Sequence, residues 1–123
     1  MTSTMIFSFR LLLAGLLVVV SYLAFTPVHY PVLEHVPDKV NHLAAFFALA
    51  FAADFSFPNM EYRWKKAVPL LAYGLLIEVI QHYLPYRTFE LLDLLADGVG
   101  LAFYGLTLPL LRQVPVLRSR WQT

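Results

Sequence analysis

Four apolar runs separated by short polar segments make up most of this chain of 123 residues. They cover residues 5–25, 40–57, 67–84 and 90–111. At about 1.5 Å of rise per helical residue, runs of this length come close to the thickness of a bilayer's hydrocarbon core. Hydrophobic residues make up 59% of the chain and charged residues only 14%, against roughly one quarter charged in a soluble domain. The sequence therefore predicts an all-α, single-domain polytopic membrane protein with four transmembrane helices.

Composition also excludes several kinds of site. The chain has no cysteine, which rules out disulfides, thiolate zinc sites and cysteine nucleophiles. Its formal net charge is +1, and it has no basic stripe, so no nucleic-acid partner is expected. The first run could be read as a signal peptide, but the segment TPVHYPV after it offers no small-residue cleavage site. An uncleaved first helix is therefore the expectation.

The basic residues fall very unevenly on the two sides of such a bundle. Only Lys39 and Arg87 lie on the side of the loops 26–38 and 85–89. Basic residues mark the cytoplasmic side of a membrane protein, so both termini are predicted to be cytoplasmic and these two loops to lie outside. The basic residues on the predicted cytoplasmic side are Arg10, Arg63, Lys65, Lys66, Arg112, Arg118 and Arg120.

Ionisable side chains interrupt the last two runs near the turn that joins them. Glu90, Asp93 and Asp97 share one face of a helix because they are spaced three and four residues apart. Glu78 in the preceding run lies about 9 Å below the end of its helix, at the same depth as Asp97 in the next. Because a charge that faces lipid is costly, these groups are expected to share an interior cleft. The predicted ligand-binding residues are Asp38, Lys39, His42, Glu78, Gln81, Arg87, Glu90, Asp93 and Asp97.

Three roles for this polar cleft remain open. It could bind a ligand, with Arg87 as a clamp for a phosphate or carboxylate. It could catalyse acid–base chemistry, for which Glu78, Asp93 and His42 are the candidates. It could also lock the helices together, with Glu78 paired to Arg87 or His42, and Arg87 paired to Glu90 or Asp93.

A metal ion is a further alternative, but the sequence predicts no cofactor. His42, Glu78, Asp93 and Asp97 offer the imidazole and carboxylate ligands that a hard divalent ion accepts. However, Lys39 and Arg87 can neutralise the acids, and no dense metal motif occurs. Asp54, near the far end of the second run, is expected to be an interfacial carboxylate close to Arg63, Lys65 and Lys66.

Three motifs in fixed order carry a family resemblance over about the last three runs. They are DKxxH from Asp38 to His42, ExxQ from Glu78 to Gln81, and RxxExxDxxxDxxG from Arg87 to Gly100. This set resembles the VanZ-like family, bacterial membrane proteins named after a teicoplanin-resistance protein. The chain departs from the family pattern at Glu90, where Asp is usual, and at Asp97, where Asn is usual. The second departure adds a buried charge.

The resemblance implies a multi-pass protein of the bacterial cytoplasmic (inner) membrane, and one member of the family is linked to glycopeptide resistance. Combined with the polar residues, it favours a site that opens to the outer leaflet of the cell envelope. That site would bind a membrane lipid headgroup, a lipid-linked envelope precursor or a glycopeptide antibiotic, and so contribute to antibiotic resistance. The alternatives are an intramembrane acid–base or metal-assisted enzyme, and a scaffold or partner subunit without a site of its own. The sequence is compatible with an oligomer.

The orientation can be tested by cysteine labelling, because the chain has no native cysteine. A cysteine at Pro31, in the loop predicted to lie outside, should react with an impermeant thiol reagent in intact cells. The matched control is a cysteine at Asn59 in the middle loop, which should react only after the membrane is permeabilised. Labelling of Asn59 and protection of Pro31 in intact cells would reverse the predicted sidedness.

Overall fold

The computed structural model describes residues 1–62, 64–87 and 90–121. Within these ranges the regular structure is helical, and no strand occurs. The long helices are α1 (Ser3–Phe25), α3 (Asp38–Ser56), α4 (Trp64–His82) and α5 (Leu91–Leu111), while α2 (Pro31–Glu34) is a single turn and a 3-10 turn (Arg118–Trp121) ends the described chain.

The helix boundaries follow local signals, and they shift several predicted limits. Thr2 caps α1 by accepting a hydrogen bond from the backbone N–H of Met5 at 3.1 Å. α3 begins at Asp38, directly after Pro37, whereas the predicted run began at residue 40. α4 covers Trp64–His82 rather than 67–84, because the polar residues before the apolar run are already helical. The loop 26–37 contains the turn α2, which the sequence did not predict.

Helix α3 lies at the centre of the bundle and packs against α1, α4 and α5. Its closest approach is to α5 at Gly100. A Cβ atom at that position would overlap the carbonyl oxygen of Leu43 and lie 3.2 Å from the backbone nitrogen of Phe47. Glycine therefore allows the two backbones to touch. The surrounding buried apolar core consists of Phe46, Leu49, Ala50, Ala53, Leu70, Leu101 and Tyr104.

The bundle buries charged groups and exposes apolar ones. Glu78 and Asp97 are each 1% exposed, whereas α1 has no buried residue at all. This is the reverse of a water-soluble domain, in which charged residues are almost never fully buried. By length and composition, α1 and α5 are each able to cross a membrane. Large exposed apolar side chains on the long helices include Phe7, Leu11, Val18, Leu75, Leu76, Leu95, Phe103 and Leu106.

Asp54, which was predicted to be an interfacial carboxylate, is buried in the bundle and 0% exposed. Its Oδ1 atom lies 2.7 Å from Lys66 Nζ and 3.0 Å from Arg120 Nη2. Its Oδ2 atom accepts a hydrogen bond of 2.6 Å from the Tyr104 hydroxyl. The segment after α5 folds back over the end of α3 and brings Arg120 to Asp54, a contact that no local sequence pattern predicted.

The expected neighbours of Asp54 are only partly those found. Lys66 is one of its partners, but Lys65 lies over the ring of Trp64, at 5.9 Å from its centroid. Arg63 lies outside the described residues. In the adjoining loop, the hydroxyl of Tyr62 donates to the carbonyl of Leu101 at 2.6 Å. Burial raises the pKa of Tyr62 to about 12, so this hydroxyl keeps its proton.

The contact between α3 and α5 predicts opposite effects for two glycines of α5. Gly100→Ala should destabilise the protein by about 1–3 kcal/mol, because its Cβ would push the two backbones apart. The matched control is Gly98→Ala, whose Cβ would lie 3.8 Å from its nearest neighbour, Leu71 Cδ1. That change should be neutral or stabilising, by up to about 1 kcal/mol. Melting temperatures in detergent measure both, and equal values for the two variants would contradict the close approach.

Candidate functional site

A cleft of about 810 Å³ lies between α1, α3 and the end of α4. It is at the end of the bundle where α1 and α4 finish and where α3 and α5 begin, which is called the cleft end below. Its side walls are apolar and come from Leu16, Val19, Val20, Leu23, Ala44, Ala45, Phe46 and Ile77. Its polar lining comes from Asp38, Asn41, His42, Gln81, Arg87 and Asp93, together with His29 and Glu34 of the covering loop.

His42 is the centre of a cluster of acids at this cleft. Its Nδ1 atom is hydrogen-bonded to Oδ1 of Asp97 at 2.9 Å. Its Nε2 atom lies 3.8 Å from Oδ2 of Asp38 and 3.6 Å from Oδ2 of Asp93. Below, the acid–histidine cluster means Asp38, His42, Asp93 and Asp97. The DKxxH motif brings Asp38 and His42 together because residues four apart lie on the same face of a helix.

Lys39 neutralises the acids at the start of α5. Its Nζ atom donates to Oδ1 of Asp93 at 2.6 Å, and also to Oε2 of Glu90. The expected pairing of Arg87 with Glu90 or Asp93 is therefore wrong. Lys39 pairs with these acids in place of Arg87 because the first turn of α3 lies directly beside the first turn of α5. Lys39 and Glu90 are half-exposed, while the side chain of Asp93 is only 6% exposed.

Arg87 instead holds the end of α1. Its Nη2 atom donates to the carbonyl of Leu23 at 2.7 Å and to that of Thr26. Gln81 makes a similar contact, because its Nε2 atom donates to the carbonyl of Ala24 at 2.8 Å. Among the described residues the Arg87 guanidinium has no carboxylate partner, and its buried Nε has no hydrogen-bond acceptor. The cleft therefore contains a cation that no acid neutralises.

Glu78 lies behind the cleft, between α4 and α5. Its Oε2 atom accepts a hydrogen bond of 3.2 Å from the backbone N–H of Glu90. Its Oε1 atom is buried, and no partner for it exists in the described part of the chain. The expected pairing of Glu78 with Arg87 or His42 as a structural lock is not found there. Electrostatic interactions nevertheless connect this carboxylate to Asp93, His42 and Asp97.

Gly74 completes the packing around Asp97. A Cβ atom at position 74 would lie 2.7 Å from Oδ2 of Asp97 and 3.1 Å from the ring of Phe46. The carboxylate is thus pressed against the bare backbone of α4 on one side and bonded to His42 on the other. The only sequence pattern that indicated a role for Gly74 is its spacing of four residues from Glu78, which places both on the same face of the helix.

The predicted site residues therefore separate into two groups. Lys39, His42, Glu90, Asp93 and Asp97 join α3 to α5, with Asp38 beside His42, while Gln81 and Arg87 reach α1. Glu78 belongs to neither group, because it connects α4 to the backbone of Glu90. The predicted site residues did not include Asn41 and Tyr86, nor His29 and Glu34 of the covering loop, which also line the cleft. Asn41 donates to the carbonyl of Leu33 at 2.9 Å, and Tyr86 donates to that of Phe25 at 2.6 Å. Asn41 lies within the DKxxH motif, which was the available signal for it.

Exposed apolar helices around buried charges, two of them long and apolar enough to cross a membrane, point to a helical membrane protein. The sequence profile of the VanZ/LLP1 family matches residues 4–112, and the chain belongs to this family. The resemblance carried by the three motifs is thereby confirmed. No curated protein and no solved structure matches the chain.

The hydrogen bond between His42 and Asp97 predicts a difference between two substitutions. Asp97→Ala removes the acceptor of a buried N–H and should lower the free energy of unfolding by about 1–3 kcal/mol. Asp97→Asn keeps an oxygen of the same shape, so it should cost clearly less. Unfolding in detergent with a chemical denaturant measures both variants. If Asn destabilised the protein as much as Ala, the charge of Asp97 rather than its hydrogen bond would hold the helices.

Proposed function

We propose that all four long helices cross the cytoplasmic membrane of a bacterium, with both termini inside and the cleft end in the outer leaflet. Helices α3 and α4 have 19 residues each, and a length of about 29 Å at 1.5 Å per residue is sufficient to span the hydrocarbon core. Charged residues of these helices support this arrangement, because Asp54 of α3 and Lys66 and Glu78 of α4 are buried in the bundle rather than directed at lipid.

We further propose that the cleft binds an amphiphile that has a hydrocarbon chain and a phosphorylated headgroup. The observation that carries this proposal is the Arg87 guanidinium. It lines the cleft, two backbone carbonyls fix its orientation, and no described acid neutralises it. Arginine presents several donors in a planar fork that suits phosphate oxygens.

The shape of the cleft supports a molecule with an apolar part. Its volume of about 810 Å³ is within the range of roughly 300–1,000 Å³ that small-molecule sites occupy. Apolar side chains of α1 and α3 form its walls, and the polar residues gather at the cleft end. A lipid or lipid-linked envelope precursor therefore fits better than a whole glycopeptide antibiotic. The resistance linked to the family would then act through the envelope precursor.

A scaffold is the second candidate, and one observation favours it. Most polar groups at the cleft end already have a partner within the bundle, as Lys39 does in Glu90 and Asp93 and His42 does in Asp97. Such a network can fix helix register without any ligand. The two candidates differ in what they predict for Arg87, whose charge a scaffold does not need.

The test compares two probes that differ only in the phosphate, farnesyl phosphate and farnesol. The purified protein in detergent should bind farnesyl phosphate at least about tenfold more tightly, because a hydrogen bond to a charged group contributes about 1.5–3 kcal/mol. Arg87→Gln should remove this preference. Native mass spectrometry or a fluorescent competitor measures the affinities. Equal affinity of the native protein for the two probes would contradict the role of Arg87.

A second variant tests the cleft without touching its charges, in case Arg87→Gln disturbs α1. Ala44→Trp should fill the cleft and abolish binding of both probes, since Ala44 lines the cleft wall. The matched control is Ala72→Trp, because Ala72 is exposed on α4 and is not part of the lining. Unchanged binding in the Ala44 variant would place any bound amphiphile elsewhere and leave the scaffold candidate.

A further inference from the structure

We propose that the acid–histidine cluster binds a divalent metal ion through His42 Nε2, Asp38 Oδ2 and Asp93 Oδ2. This inference goes beyond the amphiphile and does not rest on it. The nitrogen lies 3.8 Å and 3.6 Å from the two oxygens, and the possible ligand atoms of these residues all lie within 4.8 Å of one another. Ligand atoms that bind one ion at about 2.1 Å are roughly 3–4 Å apart, so small movements of the side chains suffice.

The histidine is oriented as a metal ligand. Nδ1 of His42 is hydrogen-bonded to Oδ1 of Asp97 at 2.9 Å. With Asp97 ionised, a neutral imidazole in this position carries its proton on Nδ1 and a lone pair on Nε2. That lone pair is on the side of Asp38 and Asp93. Histidine ligands of metals typically donate their other N–H to a carboxylate in this way. Asp97 is held in turn by its contact with Gly74.

The second ligand, Asp93, is held in a similar manner. Its Oδ1 atom accepts from Lys39 at 2.6 Å, while its Oδ2 atom is the one nearest to His42 Nε2. Its side chain is 6% exposed, so the position of the carboxylate is defined by packing. Asp38 is the accessible member, with its side chain 68% exposed. An ion could therefore enter from that side and keep open positions for water or a ligand.

The charge around the cluster independently calls for a cation. The carboxylate of Glu78 lies behind the cluster, with Oε1 buried and without a partner in the described chain. Asp38, Glu78, Glu90, Asp93 and Asp97 outnumber Lys39, the one lysine or arginine of the described residues that contacts this group. Arg87 is bonded to carbonyls of α1 instead. Like charges this close need a cation or shared protons.

The mixed ligand set selects the kind of ion. Imidazole suits transition metals, while carboxylates are also good ligands for Mn²⁺. One histidine and two aspartates with open positions therefore fit Mn²⁺, with Zn²⁺ as a competitor of higher intrinsic affinity. Ca²⁺ prefers six to eight oxygen ligands, which this cluster does not supply.

The experiment is a titration of Mn²⁺ into the purified, metal-free full chain in detergent, followed by electron paramagnetic resonance of the free ion. One Mn²⁺ should bind per chain, and Zn²⁺ should displace it. Asp38→Asn should weaken binding by about tenfold or more, as loss of ligand support typically does. Because the side chain of Asp38 is 68% exposed and lies 3.8 Å from His42, this variant should remain folded.

The matched control is Glu34→Gln, an exposed acid beside the same cleft that is paired with His29 at 2.8 Å. This variant should bind Mn²⁺ as the native protein does. The proposal is overturned if native protein binds no Mn²⁺, or if Asp38→Asn binds it with unchanged affinity. Protons would then be the species that compensates the acids. Equal losses in both variants would show that the acids attract Mn²⁺ only diffusely, and this would overturn the site as well.

Discussion

The pairing of α3 with α5 is the interaction on which the rest of the structure depends. At Gly100 the two backbones touch, and a polar contact fixes the pair on either side of that point. Towards the cleft end, His42 of α3 is hydrogen-bonded to Asp97 of α5, and towards the opposite end Tyr104 of α5 donates to Asp54 of α3. A protein surrounded by lipid gains little from burying apolar side chains between helices, so close packing and polar contacts must hold the helices together. The buried charges of this chain are thus a condition of its fold before they are part of any site.

Helix α1 is held in a different way, and the difference creates the cleft. Along its first half, Phe9 packs on Phe51 and Phe55, and Arg10 donates to the carbonyl of Ser56. At its other end, α1 is fixed chiefly through its last carbonyls, which accept from Gln81, Tyr86 and Arg87. Between these two attachments the apolar faces of α1 and α3 line an open space. Arg87 therefore has two competing roles. Its guanidinium holds the end of α1, and it is also the cation of the cleft that no described carboxylate neutralises.

The sequence predicted the helices and most of the residues at the cleft end because those features are local. Apolar runs have a period and a length, and spacings of three and four place Glu90, Asp93 and Asp97 on one face. The choice of partners is not local, and there the predictions failed. Arg87 and Lys39 are similar cations at the same end, and only the positions of α1 and α3 decide which of them reaches Asp93. Asp54 was misjudged for the same reason, because Arg120 is distant in sequence and returns to it only through the fold-back after α5.

Asp97 stands at a position where the motif resemblance leads us to expect Asn. A neutral amide could accept the hydrogen bond of His42 at a much smaller desolvation cost than a buried carboxylate. The carboxylate has one advantage in return, since a charged acceptor makes a stronger hydrogen bond and increases the basicity of the imidazole. If the network were purely structural, Asp in place of Asn at position 97 would only lower the stability of the fold, because the acids around His42 already outnumber the cations. It becomes favourable when His42 must present Nε2 to a positive partner. The extra negative charge of Asp97 is then compensated by the species bound between His42, Asp38 and Asp93, and the cost of burying it is offset by tighter binding of that species.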